Sequence, residues 1–147
     1  MYSIIVGCGR VGARLATSLA ADGHDVAVVD QNPDAFENLG AAFNGLTVVG
    51  TGIDADILRK AGVEKADSLA AATSNDSVNL MVAQLAKEVF DVPLVVSRIN
   101  EPDRENIFRE FGLATVCPTD LGAAQLKSEL LLEGLQVRQT LGAGEIV

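Results

Sequence analysis

Ser3-Ile4-Ile5-Val6 runs straight into Gly7-Cys8-Gly9-Arg10-Val11-Gly12, and one helix length later Val26-Ala27-Val28-Val29-Asp30 follows. An apolar strand, a Gly-x-Gly-x-x-Gly turn, a helix and a second apolar strand ending in an acid make a complete βαβ dinucleotide-binding unit. Gly7 permits the tight turn out of the strand, Gly9 lets backbone approach a pyrophosphate, and Gly12 lets the helix pack close to the sheet. The helix beginning near Arg10 aims its unbonded N–H groups and the positive end of its dipole at the turn. Asp30 lies eighteen positions after Gly12. A carboxylate at that strand end accepts hydrogen bonds from ribose hydroxyls and disfavours a 2′-phosphate, and Gln31-Asn32 offer no arginine to compensate. The expected ligand has unmodified ribose hydroxyls, which argues against NADP. The bland alternative is a domain of this shape that has lost its ligand.

Working outward, strands and helices alternate without interruption. The pattern predicts strands at Ser3–Val6, Val26–Asp30, Leu46–Val49, Ser68–Ala72, Leu94–Ser97 and Thr115–Cys117. Helices are expected over Val11–Ala21, Pro33 to Ala42, Asp54 to Lys60, Asp76–Val89 and Asp103 to Phe111. Proline at Pro33 suits a first turn, Asp54 suits a cap, and Gly62 and Gly112 suit helix ends. Short apolar strands joined by helices imply a parallel sheet covered on both faces. Right-handed crossovers then give an α/β, Rossmann-type doubly wound sheet of six strands in order 3-2-1-4-5-6. Ligand belongs at the carboxyl ends of strands one and four, where the winding reverses.

Composition fits one soluble domain. The chain has 147 residues, of which 48% are hydrophobic and 21% charged, with a net charge of −9. That balance argues against nucleic acid and anionic lipid, which both need a basic face. A small anion needs only a local nest of N–H groups. No apolar run approaches the roughly 20 residues that cross a bilayer, and Met1-Tyr2-Ser3 leads into a strand rather than a signal peptide. A cytoplasmic location is expected. Cys8 and Cys117 have no metal-binding or disulfide spacing. Cys8, at the variable position of the glycine turn, has a redox-sensing thiol as its minor reading. His24, the only histidine, reads as a loop residue at the opposite edge of the sheet.

Four further segments end strands on the ligand edge. Thr51 follows strand three, near the expected base; Thr73, Ser74 and Asn75 follow strand four; Arg98 follows strand five; Pro118-Thr119-Asp120 follows strand six. Thr73 and Ser74 offer donors to ribose or phosphate, and Arg98 offers a fixed positive charge. The competing readings are a helix cap for Thr73–Asp76 and a structural salt bridge for Arg98. Arg10 has three readings: phosphate, a neighbouring subunit, or water. No Ser/His/Asp set and no P-loop is present, and no acid/base residue stands where a dehydrogenase needs one. The helix Thr119–Glu133 carries Leu130-Leu131-Leu132, too many apolar positions for one face. It is expected to form an interface, with docking on its own sheet as the alternative. Leu135–Thr140 suggests extended structure, and Gly142–Val147 suggests the start of another element cut short.

At this point the chain resembles the N-terminal domain of the RCK/KTN (TrkA-N) group, TrkA/KtrA-like regulatory subunits of bacterial potassium transporters. The residues that carry it are Gly7–Gly12, Gly23-His24-Asp25-Val26 leading to Asp30, Val49-Gly50, Leu58-x-x-Ala61-Gly62-Val63, Ala66-Asp67, Thr73 to Asn79, and Ser97-Arg98-Ile99. The resemblance implies a nucleotide-binding domain over 1–118, a crossover and dimerisation helix over 119–134, and a linker over 135–147 toward a further domain. It implies a cytoplasmic, peripheral regulator that gates a membrane potassium transporter and assembles as a homodimer or larger ring through helix 119–133. It implies NAD or NADH as ligand, with ATP or ADP as the alternative, held by Gly7, Cys8, Gly9, Arg10, Val11, Asp30, Thr73, Ser74 and Arg98; Gly12, Gln31, Thr51 and Asn75, from the glycine motif and the strand ends, complete the expected site. Two departures, Thr51 after Gly50 and Thr119 after Pro118, tilt the choice toward NAD(H). No enzymatic role, no metal, no nucleic acid and no membrane insertion are expected. The rival reading is the cofactor domain of an NAD-dependent oxidoreductase whose catalytic part is missing; an orphan scaffold is the third.

Overall fold

The computed structural model describes residues 1–142, and side chains through residue 132. Strands β1 (Tyr2–Val6), β2 (Asp25–Asp30), β3 (Leu46–Val49), β4 (Ser68–Ala71), β5 (Leu94–Arg98) and β6 (Ala114–Val116) form one sheet. All pairs are parallel and the order is β3-β2-β1-β4-β5-β6, as the alternation and crossover handedness predict. Central strands β1 and β2 are buried on both faces because helices cover each side. Ile5, Val28 and Ala16 pack on one face beneath helix α1 (Arg10–Ala21) and the 3-10 segment Pro33–Leu39. Ile4, Val29, Leu58 and Val82 pack on the other beneath α2 (Ala55–Lys60) and α3 (Asp76–Gln84). Each valine, leucine or isoleucine among them contributes about 1.5–3 kcal/mol through its removal from water.

Register decides where a ligand can sit. Val6 at the end of β1 lies opposite Val29 of β2 on one side and Ala71 of β4 on the other. Three strands therefore end level, and the chain leaves them in opposite directions. The cleft this opens is the switch point expected from the strand order.

Several elements differ in form from their sequence patterns. The segment after Pro33 is a 3-10 helix that stops at Leu39, because Gly40 (φ 80°) turns the chain away. Asn32 opens it by accepting the Asp34 N–H. The predicted Asp76–Val89 helix keeps its length but widens into a π turn over Leu85–Val89. The next helix splits into a 3-10 turn, Pro102–Arg104, and α4 (Glu105–Glu110). Strand β6 is shifted one residue toward the N-terminus.

The largest difference is at the end. Helix α5 spans Pro118–Gly142, so Leu135–Thr140 is helical rather than extended. The expected opening of another element lies outside the described residues after Gly142. Among the described side chains α5 does not dock on its own sheet: Leu121, Leu126, Leu130, Leu131 and Leu132 are all more than half exposed. Leu94, Val96 and Val116 on β5 and β6 are exposed as well. None of the described helices is long and apolar enough to cross a membrane.

Candidate functional site

A cleft of about 680 Å³ opens along the carboxyl ends of β1, β2 and β4. Twelve of the thirteen residues singled out from sequence line it: Gly7, Cys8, Gly9, Arg10, Val11, Asp30, Gln31, Thr51, Thr73, Ser74, Asn75 and Arg98. Gly12 is not on the wall. Its role is underneath: a Cβ there would overlap the Gly7 carbonyl group. Gly7 (φ 106°) is fixed by both backbone and space, since a Cβ would come within 2.8 Å of the Ala72 carbonyl and the Thr73 nitrogen. Gly9 is exposed, and a Cβ on it would meet no protein atom within 4 Å, leaving its surface open to a ligand. Ala13 donates its N–H to the Gly9 carbonyl at 2.9 Å, which starts the α1 ladder. The N–H groups of Arg10, Val11 and Gly12 precede that ladder and have no acceptor within the helix.

Asp30 has two tasks. Its Oδ2 accepts the Cys8 N–H and its Oδ1 accepts the Asn32 N–H, each at 2.8 Å. The Asn38 amide donates to the Cys8 carbonyl at 3.0 Å. The peptide groups on both sides of Cys8 are thus pinned, and the glycine turn is held in shape. Each carboxylate oxygen has two lone pairs, so acceptor capacity remains for ribose hydroxyls. Asn38 was not foreseen; its distance from the motif, thirty positions, hides it in sequence.

The Cys8 thiol is buried in the core below the turn. Burial first, and then the Asp30 charge, push its pKa up to about 11. A redox-sensing cysteine needs a lowered pKa and access, and Cys8 has neither.

On the opposite wall the loop after β4 is held from within. Asn75 caps α3 by accepting the Val78 N–H at 3.0 Å, which is the cap reading of this segment. Thr73 donates both its N–H and its hydroxyl to the Asn79 side-chain oxygen, at 2.9 and 2.6 Å. The Thr73 hydroxyl also accepts the Asn75 N–H at 3.2 Å. Asp76, almost fully buried, accepts from Asn100 and from the Glu101 N–H, with Arg104 at 3.8 Å. Burial alone would raise its pKa; the Asn100 and Glu101 N–H groups, the Asn100 amide and Arg104 outweigh that and hold it below the ordinary value.

Arg98 differs from every other cation described. Its Nε is buried without a hydrogen-bond partner, and no carboxylate lies within 4.0 Å of it among the described residues. A structural salt bridge is therefore not its role here. Buried N–H groups are rarely left unpaired, and this one belongs to a residue that lines the cleft together with the glycine turn. The donor set of one guanidinium and a helix N-terminus, facing an acid at the ribose position, fits a nucleotide phosphate flanked by a ribose. His24 lies elsewhere, with Tyr2 and Asp25 in a shallow hollow at the amino ends of the strands.

Comparison with known proteins bears on the family and the fold. A family model described as the TrkA-N domain matches residues 3–118. The Trk system potassium uptake protein TrkA of Streptomyces coelicolor is 42% identical over 136 residues, covering 92% of this chain and 61% of that protein. A TrkA homolog from Methanothermobacter thermautotrophicus is 34% identical over 131 residues, covering 89% of this chain and 60% of the other. This chain thus spans about three-fifths of the length of these relatives. Among solved structures, the Shewanella denitrificans Kef CTD in AMP-bound form superposes with a TM-score of 0.78 at 22% identity, over 90% of this chain and 80% of that one. The GsuK channel bound to NAD superposes with a TM-score of 0.66 at 23% identity, over 78% of this chain and 21% of that one. At that identity the likeness is one of fold.

Proposed function

Because the chain belongs to the TrkA-N domain family, we propose that it is the nucleotide-sensing domain of a potassium-uptake regulator. The observation that carries this reading is the buried, unpartnered Nε of Arg98, a residue that lines the same cleft as the glycine turn. An anion between them receives the helix α1 N–H groups on one side and a fixed charge on the other. Asp30 sets the ribose end. The ligand is NAD or NADH, with ATP or ADP as the alternative; each has the adenosine ribose hydroxyls and phosphates that these groups match.

Regulation follows from differential binding. A nucleotide that engages the Thr73–Asn75 and Arg98 wall more strongly in one subunit arrangement biases the protein toward it. The exposed leucines of α5 and the exposed β5–β6 residues Leu94, Val96 and Val116 support pairing of subunits through this helix. The partner is a membrane potassium transporter, as the names of the relatives suggest, and the protein acts at the cytoplasmic side of the membrane. A dehydrogenase is less well supported, since the single histidine lies at the other edge of the sheet.

Calorimetric titration with NAD, NADH, ATP, ADP, AMP and NADP tests the reading. Binding of at least one of the first five, with NADP weaker than NAD, is expected. Absence of binding by all of them at millimolar concentration would sink it.

A further inference from the structure

We infer that Asn79 is the positioning residue that sets Arg98 for phosphate, an inference that rests on the nucleotide reading above. The last register pair between β4 and β5 is Ala71 with Ser97. Beyond it the two chains part, and their next backbone groups lose the ladder that would have satisfied them. Asn79 stands in that gap with none of its surface exposed. Its oxygen accepts the Thr73 N–H and hydroxyl, and its amide donates to the carbonyls of Thr73 and Arg98, both at 3.0 Å. Every hydrogen-bonding site of the amide is thereby engaged.

The setting makes this more than a filled hole. Only four polar or charged residues are buried among those described, and Asp76, Asn79 and Ser97 gather at this one point of the fold. Asp76 and Asn79 are one turn apart on α3 and face the same strand ends. Asp76 holds the chain just beyond Arg98 through Asn100 and Glu101, and Asn100 reaches back to the Thr73 carbonyl at 3.2 Å. Arg98 is thus gripped on its own carbonyl and at the second residue beyond it, while its guanidinium Nε is left without a partner. A rigid backbone under an unpaired cation is what preorganised recognition of an anion requires.

The role predicts a split between ligands. Loosening Asn79 misplaces Arg98 and so weakens binding of phosphate, while the adenosine end, held by Asp30 and the β2–β3 wall, keeps its contacts. The test is NMR titration of the ¹⁵N-labelled chain, which reads millimolar binding, with ADP and adenosine as probes. The proteins are wild type, Asn79→Ser, Asn79→Asp, Asn100→Ala and a core control, Leu58→Ala, whose side chain is buried in the cluster under α2. The Asn79 variants are expected to lose about tenfold in ADP affinity with adenosine unchanged, and Asn100→Ala to lose part of that. Leu58→Ala is expected to melt earlier yet bind both probes as wild type does. The Arg98 Nε–H resonance should move on ADP addition in wild type and move less in Asn79→Ser.

Equal losses for ADP and adenosine would overturn the inference, as would wild-type ADP affinity in the variants. If both Asn79 variants fail to fold, the half-buried Asn100→Ala decides alone, and wild-type ADP binding by it overturns the inference. A wild type that binds neither probe, and none of NAD, NADH, ATP or AMP, refutes the nucleotide reading itself, which is a different result.

Discussion

The N–H of Ile99 donates to the carbonyl of Val116 at 2.9 Å. Ile99 is fully buried and follows the cleft cation Arg98 directly; Val116 lies two residues before Pro118, where α5 begins. Ile99 packs with Phe108 and Leu113, and Cys117 leans on the same cluster. The cleft wall and the root of the exposed helix are therefore joined by the β5–β6 ladder, which this hydrogen bond extends, and by one small core. This joint is a route by which α5 can respond to a nucleotide held at Arg98. Amide hydrogen exchange at Ile99 and across residues 119–122 should slow when ADP binds and stay unchanged with ADP in Arg98→Ala. Equal slowing in wild type and variant would remove Arg98 from the route.

Asp30 should govern which ribose is accepted. Replacing it with alanine removes a charged acceptor and also releases the Cys8 N–H that it holds. Hydrogen bonds to a charged group contribute roughly 1.5–3 kcal/mol, so NAD affinity should fall about 10- to 100-fold. NADP loses a repulsion at the same time, so the NAD-to-NADP preference should narrow. Calorimetry with both nucleotides reads this directly. A preference that survives in Asp30→Ala would mean that another group excludes the 2′-phosphate.

Asp76 should shape the acid limb of stability. Its folded pKa lies below the ordinary carboxylate value of 3.8. In the window between the two values the unfolded chain binds the extra proton, so stability rises with pH there. The contribution is complete above the unfolded value and is lost as pH falls through the folded one. Asp76→Asn keeps one acceptor, loses the charge, and should flatten this part of the curve in urea melts taken from pH 5 down to pH 2. A wild-type slope that persists in the variant would assign the acid limb to other carboxylates.

The fold was legible because its signals are local and repeated. Continuous apolar strands such as Val26–Val29, the glycine turn and the alternation of elements leave one topology once crossover handedness is imposed. The cleft was legible for the same reason, since the ends of β1 to β5 on one edge line it, although Pro118-Thr119-Asp120 after β6 do not. What stayed hidden depends on distance in sequence. Nothing local ties Asn38 to Cys8, Asn79 to Arg98 or Asp76 to Asn100, and an asparagine in a helix reads as a weak helix former rather than as a brace. Thr73 was legible as a wall residue, but not as one whose N–H and hydroxyl are already donated to Asn79. The course of α5 beyond Glu133 was misread because Gly134 resembles a stop signal, and a glycine lowers helix stability by only about 1 kcal/mol.

The leucines of α5 supply the last prediction. Leu126 and Leu130 stand one turn apart, and both are at least two-thirds exposed, at 67% and 73%. An isolated helix gains little from propensity, and most helical stability comes from an apolar face packed against something else. Burying each leucine against a second copy would contribute about 1.5–3 kcal/mol, and a two-fold interface counts each residue twice. Sedimentation equilibrium of the chain should give a mass at least double that of one copy. The pair Leu126→Glu with Leu130→Glu should reduce it to one copy, while nucleotide affinity is retained, because neither residue touches the cleft. A wild type that sediments as a single copy at tens of micromolar would show that α5 does not pair subunits by itself.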